Sequence, residues 1–158
     1  MRAIQTKHNL GRRDWLTRAL LLGVSVCLQP LLALAKKPEA LEAIQKIVGS
    51  NTLNEGKVKL VLPPLVENGN LVVLKVSVDH PMTEQNYVKA IHIIAEGNPL
   101  PNVFSAYLTP RSGTANITTR VRLAESQKVW AIAQLSDNSF WQSSVQTMVT
   151  TSACTEEP

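Results

Sequence analysis

From Leu71 to Asp79 the chain alternates: Val72, Leu74, Val76 and Val78 fall on one side, Lys75, Ser77 and Asp79 on the other. Successive side chains of an extended strand point to opposite faces, so this stretch predicts a β-strand with one buried face. Such a strand is stable only among neighbours that share its hydrogen bonds and cover its apolar side. The chain supplies them. Residues 57–62 alternate until Pro63-Pro64, and residues 87–96 are nearly all apolar at Ile91, Ile93 and Ile94. Residues 103–109, 114–123, 128–135 and 139–151 read as further strands. The breaks between them are turn-forming: 65–70 with Asn68-Gly69, 80–86, Asn98-Pro99-Leu100-Pro101, 110–113, 124–127 and 136–138. About seven short strands with frequent turns imply an all-β fold, an immunoglobulin-like antiparallel β-sandwich. Ahead of them, residues 36–49 place Ala40, Leu41, Ala43, Ile44, Ile47 and Val48 at helical spacing, with Gly49 as a stop and residues 50–56 as a turn.

Residues 1–35 have a different texture. A basic start, an apolar run of about ten residues from Ala19 to Leu28 and the ending Ala33-Leu34-Ala35 follow the plan of a cleavable export signal. The run is shorter than the roughly 20 residues of a spanning helix. Arg12-Arg13, followed by Asp14, Trp15 and Leu16, matches a twin-arginine signal, and an ordinary secretory signal with two adjacent arginines fits the same residues. Both place the mature chain outside the cytoplasm, which is periplasmic if the twin-arginine reading holds. Cys27 would leave with the signal.

Five of the 16 basic side chains and one of the 12 acidic ones lie in those 35 residues, leaving 11 of each in the remainder. The surplus of positive charge belongs to the signal, so nothing in the mature composition points to nucleic acid or a membrane surface. Without Cys27, Cys154 has no partner in its own chain, and an odd cysteine in an exported protein indicates a reactive thiol or an intermolecular disulfide, here a homodimer link. It sits in Thr150-Thr-Ser-Ala-Cys-Thr-Glu-Glu-Pro158, past the last expected strand, where a thiol has no packing role. An unassisted thiol has a pKa of about 8.5, and Glu156 and Glu157 oppose its ionisation, so partners would have to supply the chemistry.

Other candidates are weaker. His92, flanked by Ile91 and Ile93, reads as a satisfied strand histidine, and His80 before Pro81 as a turn residue. No metal-ligand spacing, paired acids, phosphate loop or nucleophile motif is present, so neither a metal, a cofactor nor catalysis by the chain is expected. Arg120 and Arg122 share a strand face and, with Arg111 nearby, can meet an anion or a partner's carboxylate, or form a solvated edge. Trp130, Phe140 and Trp141 read as core or interface aromatics.

Several stretches together resemble the SoxY family, the substrate-carrying subunit of a bacterial sulfur-oxidation carrier. They include Glu55-Gly-Lys-Val-Lys-Leu-Val-Leu-Pro63, Glu67-Asn-Gly-Asn70, Pro81-Met-Thr-Glu84, Tyr87-Val-Lys-Ala-Ile-His-Ile93, Thr109-Pro-Arg-Ser-Gly113, Thr119-Arg-Val-Arg-Leu123 and Ser136-Asp-Asn-Ser-Phe-Trp141. The resemblance implies a sandwich paired with a SoxZ-like subunit. It also implies a non-catalytic carrier that holds sulfur intermediates of thiosulfate oxidation on Cys154 for enzymes that load, oxidise and release them as sulfate. The family's arm is Gly-Gly-Cys-Gly-Gly, whereas here Ser152-Ala153 precede Cys154 and Thr155-Glu156-Glu157-Pro158 follow it. An interaction module with altered or lost carriage is the alternative. The expected organisation is a signal peptide at 1–35, a helix and turn at 36–56, a β-sandwich carrier domain at 57–151, and a flexible arm at 152–158.

Overall fold

A computed structural model of the chain describes residues 38–153; residues 1–37 and 154–158, which take in the expected signal peptide and Cys154, lie outside the described residues. The first element is the helix α1 (Pro38–Val48). Ala40, Ile44 and Val48 recur every fourth residue and form its buried stripe, with Ala43 and Ile47 beside them. Gly49, at φ 64°, ends the helix by donating its N–H to the Gln45 carbonyl at 2.8 Å, a left-handed cap that favours glycine.

Nine strands follow among the described residues: β1 (Leu53–Glu55), β2 (Val58–Val61), β3 (Leu65–Asn68), β4 (Val72–Val78), β5 (Val88–Ala95), β6 (Asn102–Tyr107), β7 (Asn116–Val121), β8 (Gln127–Leu135) and β9 (Phe140–Thr151). One sheet runs β1-β9-β8-β5-β6, with β3 also on β9, and the other runs β2-β4-β7. Their pairing is antiparallel except for β1 and β3, which run parallel to β9. The expected sandwich is therefore present. No helix among the described residues is long and apolar enough to cross a membrane.

The alternation in β4 puts Val72, Leu74, Val76 and Val78 into the core between the sheets, against Ile91 and Ile93 of β5 and Val129, Ala131 and Ala133 of β8. Each large aliphatic side chain buried there contributes about 1.5–3 kcal/mol. β5 is apolar on both sides because both are covered: Ile94 faces the opposite way and packs with Ile132, Phe140 and the α1 stripe. The helix thus forms a third, partial layer outside the larger sheet. The three aromatics lie in or against these cores. Phe140 is buried, Trp130 donates its Nε1–H to Glu96 Oε1 at 2.8 Å, and Trp141 donates to Ser139 Oγ at 3.1 Å. Lys128 and Lys57 lie over the two indoles at 4.1 and 4.4 Å.

Two segments expected as turns contain strands. Residues 50–56 include β1 and residues 65–70 include β3, both on the outer side of β9. β9 pairs with β8 from Phe140 to Thr147, then leaves it; from Met148 its partner is β3. Thr147 marks the change, wholly buried, with Oγ1 donating to the Pro63 carbonyl at 2.7 Å. Beyond it three chain segments converge on Gly69. Its N–H donates to Thr151 O at 2.8 Å, its carbonyl accepts from Leu123 N at 2.8 Å, and Ala153 N donates to Leu123 O at 3.2 Å. A side chain at 69 would strike the Leu123 carbonyl and come within 2.9 Å of Ala153 N, so the approach requires glycine.

His92 is 7% exposed on β5, with Nδ1 2.8 Å from Ser105 Oγ and its ring edge-on to Tyr107 at 6.0 Å. Ser105 Oγ donates to Asn102 Oδ1 at 3.2 Å, which leaves the hydroxyl oxygen to accept from Nδ1–H. It is the satisfied strand histidine expected from the sequence. Desolvation by burial lowers its pKa from the ordinary value.

Two predictions follow from this packing. Gly69→Ala should destabilise the fold by about 1–3 kcal/mol in urea unfolding, because backbone must move to admit the methyl. Gly97→Ala should cost less, since its new methyl meets side-chain atoms of Glu125 and no backbone; equal costs would refute the junction's rigidity. For His92, the unfolded chain takes up a proton at a higher pH than the folded one. Its contribution to stability should be complete above about pH 6.5 and be lost as pH falls through the folded value. Subtracting the stability–pH curve of His92→Gln from that of the wild type should isolate this slope, and a flat difference would contradict it.

Candidate functional site

The sequence points to Cys154, and the structure shows how the chain reaches it. After Thr147, Met148 N donates to Pro64 O at 2.9 Å and Val149 N to Ser126 Oγ at 2.9 Å. Thr150 Oγ1 donates to Glu67 O at 3.0 Å, and Thr151 O and Ala153 N join the junction at Gly69 and Leu123. Ala153 is only 7% exposed. The expectation of an arm free from residue 152 is therefore revised at its base: the chain is tied to the body as far as Ala153, one residue before Cys154, because a second hydrogen bond and the burial of a methyl extend the junction past the end of β9. Cys154 itself lies outside the described residues.

Ala153 also lines a groove of about 660 Å³, whose other walls include Leu100 and Val103 on one side and Arg120 and Arg122 on the other. Asn98 also lines it, and Asn98 and Gln127, both read from the sequence as turn residues, form a hydrogen-bonded network beside it. Asn98 donates from Nδ2 to Arg122 O at 2.9 Å and accepts at Oδ1 from Ala124 N and Gln127 Nε2, both at 3.0 Å. Gln127, 4% exposed, also accepts from Gly97 N at 2.7 Å and donates to Glu125 O at 3.0 Å. These bonds fix the turn after β5 to the end of β7. A polar glutamine at the first position of a strand after Ala124-Glu-Ser is the only local hint of such a network, and its partner lies 29 residues away.

The arginines expected to share a face do so, and both line the groove. No carboxylate lines it among the described residues, and neither guanidinium has an ion-pair partner there. Arg111 is elsewhere, in the 3-10 turn Pro110–Ser112. His92 lies under Ser105 and Tyr107 and takes no part in the groove, nor does His80. No three histidine, cysteine, aspartate or glutamate side chains gather into a metal-binding group among the described residues.

Comparison with known proteins gives the family. The model of the sulfur oxidation protein SoxY matches residues 44–154, from the middle of α1 to Cys154. No curated protein matches the chain. Among solved structures, the sulfur carrier protein SoxY from Chlorobium limicola f thiosulfatophilum superimposes with a TM-score of 0.59 at 23% identity, covering 71% of this chain and 96% of that one. A superoxide reductase (neelaredoxin) from Ignicoccus hospitalis gives 0.53 at 20% identity over 60% of this chain and 80% of that one. The superoxide reductase from Nanoarchaeum equitans gives 0.51 at 11% identity over 60% and 99%. At these identities the likenesses show a shared sandwich and nothing of its chemistry. The family match, which covers most of the chain including both sheets and Cys154, shows that the protein belongs to the SoxY family of sulfur oxidation proteins.

Proposed function

We propose that this protein is a sulfur carrier that holds oxidation intermediates on Cys154 and presents them to partner enzymes, without catalysing the reactions itself. The observation that carries this reading is positional. The body secures the chain up to Ala153, and the family match extends to the next residue, the one cysteine outside the expected signal. A solved relative of the same fold is named a sulfur carrier protein.

The chemistry sets what the partners must do. Joining thiosulfate to the Cys154 thiol forms a sulfur–sulfur bond, releases one proton and removes two electrons, which an oxidoreductase must accept. Hydrolysis of the outer sulfur–sulfur bond then releases sulfate and two protons and leaves a perthiolate on the cysteine. Nothing in the described residues offers a base beside an activated nucleophile, so both steps are assigned to partners. A SoxZ-like subunit is the proposed constitutive partner. The twin-arginine motif at Arg12-Arg13 supports export of the mature protein, from residue 36, to the periplasm.

Loading provides the test. Thiosulfate and the co-expressed oxidising enzymes should add sulfur-containing mass to the peptide holding Cys154, and Cys154→Ser should abolish the gain without altering the unfolding midpoint. An unmodified peptide, under conditions that load another SoxY protein, would instead favour an interaction module.

A further inference from the structure

We propose that the outer face of the β2-β4-β7 sheet is a docking surface for the acidic face of a transient protein partner, the oxidising enzyme of the carrier reading, on which that choice of partner rests. Opposite residues of an antiparallel pair point the same way, so Lys59 and Val61 of β2, Val73 and Lys75 of β4, and Thr118 and Arg120 of β7 share this face. Its charge is of one sign. The three strands contain no aspartate or glutamate, and their charged side chains, Lys59, Lys75 and Arg120, all point outward. Lys59 lies opposite Ser77, Lys75 opposite Thr118 and Arg120 opposite Val73, so the cations step diagonally from strand to strand at roughly 7–8 Å. None has an ion-pair partner among the described residues. Such neighbours repel one another, and carboxylates brought by another molecule offset the repulsion.

Val61 and Val73, 48% and 42% exposed, stand among the cations as apolar contacts. The larger sheet has α1 on its outer side, whereas these valines leave the smaller sheet open among the described residues. The chemistry selects the occupant. A second copy of the same face would set cation against cation. Nucleic acid or an anionic membrane calls for a denser positive field and for aromatic or long apolar side chains, and the three strands hold no aromatic residue. A permanent subunit buries an apolar patch from which lysine is depleted. Spaced cations around short apolar side chains fit a protein that is met briefly and guided by charge. Position links the face to the enzyme. Arg120 lines a depression on the sheet with Val73 and Thr118, and also the groove that Ala153 lines. A partner seated on the sheet therefore lies beside the end of the described chain, one residue before Cys154.

Surface plasmon resonance with the purified, co-expressed oxidising enzyme, in the absence of thiosulfate, tests docking apart from loading. At about 20 mM salt, Lys59→Gln, Lys75→Gln and Arg120→Gln together should slow association about tenfold or more and flatten its dependence on salt. The triple variant should keep its unfolding midpoint, since the replaced side chains point into solvent. Lys46→Gln with Arg111→Gln, exposed on α1 and on the 3-10 turn, should leave the rate and its salt dependence nearly unchanged. No binding by the wild type, an unaltered rate in the triple variant, or an equal loss in the Lys46 and Arg111 variant would overturn the proposal. So would a triple variant that loses binding to phosphatidylglycerol vesicles while associating with the enzyme at the wild-type rate, which would assign the face to a membrane. Mass measurement of the peptide holding Cys154 reads loading separately. Sulfur gained with an association rate indifferent to the three cations removes the docking surface and keeps the carrier; docking that depends on them, with no sulfur gained, keeps the surface and removes the carrier.

Discussion

The change of partner along β9 is the constraint on which the rest of the structure depends. Twelve residues of continuous strand satisfy their backbone groups against β8 over the first eight positions and against β3 over the last four, with β1 on the outer edge near the start. Buried backbone groups left unpaired would each cost about 1–3 kcal/mol, so every position needs a partner. At Thr147, where β8 is left behind, the hydroxyl bridges to Pro63 and the next N–H bonds to Pro64. The last strand of the chain therefore sits inside a sheet and not at its edge, and the point where the chain leaves the body is set by the same bonds that close the sandwich.

This geometry explains which parts of the fold were legible in the sequence. β4 announces itself because one of its faces meets the core and the other meets water, which writes a period of two into the residues. β5 is legible as a nearly unbroken apolar run because α1 covers the face that solvent would otherwise claim. β1 and β3 carry no such record. They are three and four residues long, rich in asparagine and glutamate, and depend on hydrogen bonds to a strand more than 80 residues away. Local composition describes turns there, and long-range pairing overrides it. The site divides in the same way. A cysteine outside the expected signal and two arginines in alternate positions are visible in the chain, but the approach of Ala153 to the groove that the arginines line rests on Gly69, Asn98 and Gln127, whose roles exist only after folding.

The likeness to superoxide reductases shows how little a sandwich of this kind dictates. Proteins at 11–20% identity share the layers and not, by that fact, any residue that does chemistry. In this chain the titratable group best placed for a buried role, His92, is occupied in bonding Ser105 and packing against Tyr107. The distinctive residues gather at the end of the strand that closes the fold.

The tie at Ala153 bears directly on how a thiol at residue 154 would be handed to another protein. Counted from the end of β9, the residue that follows Ala153 stands three residues away, a span on the order of 10 Å; counted from Ala153, it stands one residue away. The tie is nevertheless slight. One backbone hydrogen bond contributes about 0.5–1.5 kcal/mol, and a buried methyl adds about 0.8 kcal/mol. A cost of about 1–2 kcal/mol corresponds to roughly a tenfold preference for the tied state, which a partner's binding energy offsets easily. The chain is thus tied to the body at Ala153, and the tie is loose enough for a partner's binding energy to peel it from Leu123 back to Gly69.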